Sequence, residues 1–464
     1  MTCDRREFLT GAAACGGLGL LSPAAAFAAD SPLLRLGVVS DMHLGPGGSH
    51  AAMGKALVWL DEMKVDAVAF TGDMINIGIM DEAKMFMAQW NGVFQGNRAK
   101  DGRSVERLVV SGNHDAFDHD PKKFNLPGWT EQKLLDETIR RDLKNRWKEA
   151  FGEDWQLIWR KEVKGVTFVG TQYLHFFHPP VERYFRENAA AFAKDRPFFV
   201  LQHAHPKGTC YGKIARSAED RGEMARALAA FPNAVVLSGH SHIPLADERS
   251  VWQGAFTSIG CGCAGVNSTT ASAGDGYANE GEGYGPHFKR FNPQPSPNEG
   301  SRGVQVIDVS ADRLVLHRHS TTYDCPIGPD WAVPIPARAG GPYDYDRRAK
   351  TGKAPEFPAG TVVDVERLVK DVACVRISFP AAKPGRGRVY GYSVDVFCDG
   401  RKVLSKKFLS PDFHLPESKA GLSAAYLIKA EELPKAGTLR FAVSPHDAYG
   451  ASGRAVEGKV VLAE

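Results

Sequence analysis

The chain has almost no net charge to deploy: 57 Lys and Arg stand against 54 Asp and Glu, leaving +3 at pH 7 over 464 residues. Such a balance supplies no broad field for gripping nucleic acid or an anionic membrane surface. Cysteine is sparse, 8 in all, and no two have the paired spacing of a structural zinc site. Beyond the first 29 residues the thiols are Cys210, Cys261, Cys263, Cys325, Cys374 and Cys398. These allow fifteen pairings, so disulfides are permitted without being demanded. Long apolar runs are also missing. The stretch Gly11 to Leu21 falls short of the ~20 residues a spanning helix needs, and no transmembrane segment is expected. No internal repeat is visible. What remains is 43% hydrophobic and 24% charged residues, enough to bury large cores in two or three domains and too apolar for a disordered chain.

The first 29 residues read as a targeting segment. Arg5-Arg6 with Phe8-Leu9 behind them, the apolar stretch, and Ala26-Phe27-Ala28 as a small-x-small cleavage site together resemble a twin-arginine export signal. That resemblance implies passage of the folded protein through the twin-arginine translocation machinery to the periplasm or the exterior. An uncleaved anchor is the alternative. Cys15 follows Ala12-Ala13-Ala14, which lacks the large aliphatic residue of a lipoprotein box, so lipidation is not expected.

From residue 30 to 324 short apolar runs alternate with helical periods, the pattern of a sheet covered by helices. Leu34 to Ser40, Ala67 to Thr71, Leu108 to Ser111, Phe198 to Gln202 and Ala234 to Ser238 read as buried strands. Ala51 to Met63, Asp81 to Phe94, Thr130 to Ala150, Val181 to Ala193 and Ala218 to Ala230 read as helices. Trp155 to Glu162 and Val166 to Tyr173 flank Lys164-Gly165 as a hairpin, and Gly254 to Ile259, Val304 to Val309 and Leu314 to His319 are further strands. The Gly/Ser/Asn-rich stretch 260–297 is a long loop, either a substrate-contacting lid or a surface excursion. Residues 325–360 are rich in Pro and Gly and read as a semi-rigid linker. Beyond it, 361–464 carries short alternating strands, with Asp399-Gly400 as a hairpin turn, and resembles a fibronectin-type or immunoglobulin-like sandwich.

The chemistry sits at the strand ends. Asp41-Met42-His43, Gly72-Asp73, Gly112-Asn113-His114-Asp115, His203 and Gly239-His240-Ser241-His242 each follow an apolar run, and together they place hard oxygen and imidazole donors in one order along the chain. An Asp and a His two apart, just past a strand, point the same way and hold one cation. Asp73 can bridge two cations if Gly72 lets the backbone approach closely. Asn113 offers a neutral oxygen, and His114 is placed to face a substrate. His205, two residues beyond His203, is the substitute for it.

These motifs resemble the calcineurin-like metallophosphoesterase superfamily over roughly Leu33 to Ser320. The resemblance implies a four-layer αββα sandwich of two mixed sheets, followed here by a small all-β sandwich. It implies two divalent metal ions, Mn, Fe, Zn or Mg, one held by Asp41, His43, Asp73 and His242, the other by Asp73, Asn113, His203 and His240. A metal-bridging hydroxide would attack the phosphoester in line, while His114, oriented by Asp115, protonates the leaving oxygen. Ala204 departs from the family's frequent His-x-Pro, which is why His205 remains an alternative. Asn76 stands where purple acid phosphatases carry a tyrosine, which argues against that subgroup.

Outside the series, His175, His178 and Asp118-His119-Asp120 are candidates for the cleft wall, and His287, Lys289 and Arg290 for a phosphate contact from the long loop. His317 and His319 alternate on a strand and are expected to share a solvent-facing side. His414 and His446 have no partner at ligand spacing. Two functions follow: an exported phosphohydrolase acting on mono- or diesters, or an exported binding or cell-surface protein whose terminal sandwich meets a partner beside a vestigial metal domain. Beyond a nucleotide substrate, no nucleic-acid partner is expected.

Overall fold

The computed structural model describes residues 31–45, 50–115, 143–173, 179–192, 195–209, 220, 222–265, 302–368, 374–413 and 415–462. The expected targeting segment, most of the long loop, and residues 116–142 lie outside them. Among the described residues no helix is long and apolar enough to cross a membrane.

The first sheet is built around β1 (Leu34–Val39), β2 (Ala67–Thr71) and β3 (Glu106–Val110), which run parallel. The second contains β4 (Ile158–Val163), β5 (Val166–Thr171), β6 (Phe198–Leu201), β7 (Ala234–Ser238), β8 (Val251–Gln253) and β9 (Thr257–Gly260), in the order β4-β5-β6-β7-β9-β8. The chain then returns to the first sheet with β10 (Gly303–Val309), β11 (Arg313–Ser320), β12 (Cys325–Pro326) and β13 (Trp331–Pro334). Its order is β12-β11-β10-β1-β2-β3, with β13 also on β11.

Period-two alternation explains the layers, since successive side chains leave a strand on opposite faces. Leu36 and Val38, Ala67 and Ala69, Phe199 and Leu201, Val235 and Leu237 meet between the sheets. Val68 and Phe70 face the other way, beneath α1 (His50–Glu62), α2 (Met80–Val93) and α3 (Leu143–Phe151), with Leu57, Phe86 and Trp90 in that layer. Phe198 and Val200 point outward under α4 (Pro179–Glu187) and α5 (Glu223–Leu228), against Phe185 and Met224. Both faces of each parallel strand are covered, which is why these strands read as unbroken apolar runs. The result is the four-layer αββα arrangement.

Two readings are corrected. Gly254 to Ile259 is not one strand: Gly254 lies in the turn between β8 and β9, which pair antiparallel. The stretch 325–360 continues the fold instead of spanning a gap, through β12, β13 and the helix α6 (Tyr345–Thr351). Pro326 and Pro334 sit on these peripheral strands, where a missing N–H breaks no central ladder.

The terminal region forms two antiparallel sheets. One holds β14 (Asp364–Leu368), β15 (Cys374–Pro380) and β18 (Ser423–Lys429); the other holds β16 (Val389–Cys398), β17 (Arg401–Leu409), β19 (Gly437–Asp447) and β20 (Val456–Leu462) in the order β17-β16-β19-β20. Val375, Ile377, Tyr392, Val394, Phe441 and Val443 fill the space between them. Asp399 and Gly400 have φ of 48° and 84°, the left-handed pair a two-residue hairpin turn requires. This sandwich packs on the first domain through a cluster of Ile243 and Trp252 with Tyr345, Tyr390, Leu409, Phe413 and Tyr449.

Candidate metal centre

Asp41 and His43 follow β1, Asp73 follows β2, Asn113 follows β3, His203 follows β6, and His240 and His242 follow β7. Five separate strand ends thus converge on one seam between the two sheets. Within each sheet the loops are tied to one another by backbone bonds: Asp41 N–H to Gly72 O (3.1 Å) and His43 N–H to Asp73 O (2.9 Å) in the first, Gly239 N–H to His203 O (3.0 Å) in the second.

The donor atoms of Asp41, His43, Asp73 and His242 lie within 4.8 Å of one another, as do those of Asp73, His203 and His240. Asp73 belongs to both groups. Asn113 Oδ1 is 3.2 Å from His203 Nε2, and so stands with the second group. His205 stays apart: it is buried, and its Nε2 meets Ser241 Oγ at 2.8 Å.

Backbone geometry marks these residues out. Asp41, His43, Asp73, His240 and His242 have φ of 52°, 46°, 50°, 69° and 52°, a left-handed region that side chains enter at a cost. They make up half of the non-glycine residues so disposed among those described, which ties the strain to the site. Close approach is the second device. A Cβ on Gly112 would collide with Asp73 Oδ1, one on Gly72 with the His203 ring, and one on Gly239 with Ser40 Oγ and Asp41 Oδ2.

The donor pattern favours a cation. His203 Nδ1 lies 2.8 Å from the Thr71 carbonyl, to which it can only donate, so a neutral ring turns the lone pair of Nε2 inward. That lone pair faces Asp73 Oδ2 at 3.2 Å and Asn113 Oδ1 at 3.2 Å, three acceptors meeting at one point. Likewise His242 Nε2 is 3.1 Å from both Asp41 Oδ1 and His43 Nε2. Positive charge resolves the conflict at His203, as a proton or as a metal ion, and a cation would likewise be shared by the close donors around His242. Without metal, burial opposes charge on His203, but Asp73 beside it outweighs burial and raises the ring to about 10. Burial would raise the Asp41 carboxyl, yet His242 holds it at about 2. His43 is pushed down to about 4, chiefly by burial. Carboxylate and imidazole donors in this set suit Fe, Zn or Mn, and admit Mg through the oxygens.

His114 stands at the rim, its ring 4.6 Å from that of His43. Its backbone N–H donates to Asp73 Oδ1 at 2.8 Å, which couples its position to the carboxylate shared by both donor groups. Sequence reasoning expects Asp115 to orient the ring, and the structure shows another partner. Asp115 accepts from the amides of Ile75 (3.0 Å) and Gly112 (2.7 Å), while His114 Nδ1 faces the carbonyl of Asn76 at 2.5 Å. Burial, with Asp73 nearby, raises the Asp115 carboxyl to about 7.

The other candidates divide. His175, His178, Asp118, His119, Asp120, His287, Lys289, Arg290 and His414 lie outside the described residues. His446 bonds Ser393 within the sandwich at 2.8 Å. His317 and His319 share a face as expected, but that face is not simply solvent: His319 is buried and stacked on Trp59 at 4.6 Å. Cys261, Cys325, Cys374 and Cys398 are free thiols, and Cys263 Sγ donates to the Asp41 carbonyl at 3.3 Å.

Two mixed sheets between helices, with carboxylates and imidazoles gathered where their strand ends meet, make this the domain of a metal-dependent phosphoesterase. Residues 34–244 match the family model of the calcineurin-like phosphoesterases. No protein of curated function matches the chain. Among solved structures, a dimetal phosphatase from Danio rerio is 12% identical, with 66% of this chain and 99% of that one covered and a TM-score of 0.36. A purple acid phosphatase from yellow lupin seeds is 12% identical, with 68% and 54% covered and a TM-score of 0.41. GAP50, the anchor in the inner membrane complex of Plasmodium, is 11% identical, with 66% and 90% covered and a TM-score of 0.36. The assignment rests on the family match and the donor cluster, not on these remote likenesses.

Proposed function

We propose that the protein is an exported phosphohydrolase that cleaves phosphomonoesters or phosphodiesters with two divalent metal ions. The observation that carries this reading is the shared position of Asp73 in two donor groups, with Asp41, His43 and His242 on one side and His203 and His240 on the other. Asn113 completes the second group. Two cations there would ionise a water for attack and neutralise the phosphoryl oxygens. The chain's own residues do the rest. Thr71 and the glycines at 72, 112 and 239 fix where the donors point. His114 donates its Nε2 proton to the leaving oxygen as the phosphorus–oxygen bond breaks and that oxygen takes the electron pair; Nδ1–H stays on the Asn76 carbonyl.

The expected export signal supports a periplasmic or extracellular ester as substrate. The terminal region, with seven antiparallel strands in sheets of three and four, supports the reading of a fibronectin- or immunoglobulin-like module.

The test is hydrolysis of aryl mono- and diesters by protein loaded in turn with Mn, Zn, Fe and Mg. Turnover is expected in at least one metal form. Asp73→Asn should lose bound metal together with activity, and His114→Ala should keep metal and lose about 10²- to 10⁴-fold in rate. Equal rates in all three proteins would overturn the proposal.

A further inference from the structure

The loop between β2 and α2 carries a buried acid that the series of metal donors does not use. Glu82, in the first turn of α2, is fully buried. Its Oε2 accepts from the backbone amides of Asn76 at 3.1 Å and Ile77 at 2.8 Å. Its Oε1 is buried without a hydrogen-bond partner, against Gly45, where a Cβ would come within 2.5 Å of it. A buried carboxyl is expensive unless its oxygens are occupied. Here it spends one oxygen on two consecutive amides of an irregular loop and leaves the other bare. Stabilising its own helix would not need that arrangement, because the same acid in a first turn serves α2 from solvent.

What the two amides have in common is the peptide group between them. Asn76 N–H and Ile77 N–H flank the Asn76 carbonyl, and that carbonyl is the group 2.5 Å from His114 Nδ1. The same loop is held on its other side by Asp115, which accepts from Ile75 N–H at 3.0 Å, and by Leu44, whose carbonyl accepts from Asn76 N–H at 3.0 Å. Three successive amides are therefore anchored by two buried carboxyls, and the one carbonyl so framed faces His114. A carbonyl cannot donate, so it selects the Nδ1–H tautomer and leaves Nε2 as the site of the mobile proton.

We propose that Glu82 is a positioning residue for proton transfer: through the amides of Asn76 and Ile77 it fixes the Asn76 carbonyl, which fixes the tautomer and direction of His114. The inference deepens the proposed function and rests on its assignment of His114 as the proton donor. Glu82 touches neither metal donors nor reacting atoms. Its loss should leave the metal centre intact and weaken only the step in which the leaving oxygen is protonated.

That separation gives the test. The full-length protein is prepared as Glu82→Ala, Glu82→Gln, His114→Ala and the double variant Glu82→Ala/His114→Ala. Metal per chain is measured in each, and kcat is measured with aryl phosphates of graded leaving-group pKa. Esters of acidic phenols need little protonation, while esters of ordinary phenols need it fully. Glu82→Ala should keep its metal, lose about 10- to 100-fold on the poor leaving groups, a part of the effect of the whole acid, and change little on the good ones. Glu82→Gln, whose amide oxygen still accepts from both N–H groups, should recover most of the loss. In the His114→Ala background, Glu82→Ala should add nothing further. A leaving-group dependence unchanged in Glu82→Ala but steepened in His114→Ala overturns the inference alone. An unchanged dependence in His114→Ala overturns the proton-donor reading and the inference with it. A second readout is independent of turnover: the ring-nitrogen shifts of His114 should report one Nδ1–H tautomer in the parent and a mixture in Glu82→Ala and, more weakly, in Glu82→Gln. The parent tautomer persisting in both Glu82 variants would overturn the inference whatever the kinetics.

Discussion

Gly112 is a residue at which the site leaves no room for a side chain. It leads into Asn113 and His114, its amide holds Asp115 at 2.7 Å, and the space where a side chain would begin is filled by the Asp73 carboxyl. A single methyl therefore has to move the one residue shared by both donor groups. Gly112→Ala is expected to reduce bound metal below two per chain and to lower kcat/KM by about 100-fold, the scale of an ångström-sized displacement of reacting groups. Metal analysis and initial rates on the same preparation check it, and full metal content with parental rates would show that Asp73 has room to shift. The side-chain donors were legible in the sequence because each is an uncommon residue type placed directly after an apolar run. Their orienting partners were not. Thr71 and Asn76 act through carbonyls that every residue carries, and Glu82 looks in sequence like an ordinary acid at a helix start. His203 is favoured over His205 already in the sequence, because it directly follows the apolar strand, and in the fold His205 turns to Ser241.

Among elements, the strands of both sheets were legible where both faces are covered, because burial on two sides leaves an apolar run with no interruption. Peripheral elements were harder. β12 and β13 carry prolines and have one partner each, so their composition resembles a linker's although they are hydrogen-bonded to β11. A polar cluster on β11 also has a measurable charge dependence. His317 sits between Asp308 (3.3 Å) and Asp330 (2.9 Å). The bond to Asp308 comes first among the causes that raise its ring to about 9, above the 6.5 of a free imidazole. A raised folded-state value means the stabilisation is fully present below about pH 6.5 and is lost as the pH rises through about 9. The parent should thus exceed His317→Asn in urea midpoint at pH 6, with the difference shrinking towards pH 9.5. A difference independent of pH over that interval would mean the contribution is packing alone.

At the scale of the whole molecule, the loop that supplies His240 and His242 runs on into the contact with the terminal sandwich. Within a few residues, Asp247 and Arg249 form a fully buried pair at 2.6 Å. The Arg249 guanidinium lies 4.5 Å from the centre of the Tyr390 ring. Glu248, half-buried and with its carboxyl raised to about 7 chiefly by desolvation, packs where Gly387 (φ 63°) leaves no space for a Cβ. Arg348 of α6 donates to the carbonyls of Glu248 and Val251 at 2.8 and 2.6 Å. The sandwich is thus fastened to the far end of a metal-donor loop. Tyr390→Ala should cost about 3 kcal/mol, as for other large buried aromatics, and should leave catalytic domain and sandwich unfolding in one transition at a lower denaturant midpoint. Two separate transitions, reported by tryptophan fluorescence and by far-ultraviolet circular dichroism, would show that the domains are energetically independent.

The seam between the sheets has a consequence for how the centre comes into being. Asp41, His43, Asp73 and Asn113 belong to the first sheet, and His203, His240 and His242 to the second. Neither half of the domain holds a complete set of donors, so the centre arises only when the halves dock. A cation that settles there works as a latch across the domain, and its affinity adds directly to the free energy that keeps the halves together.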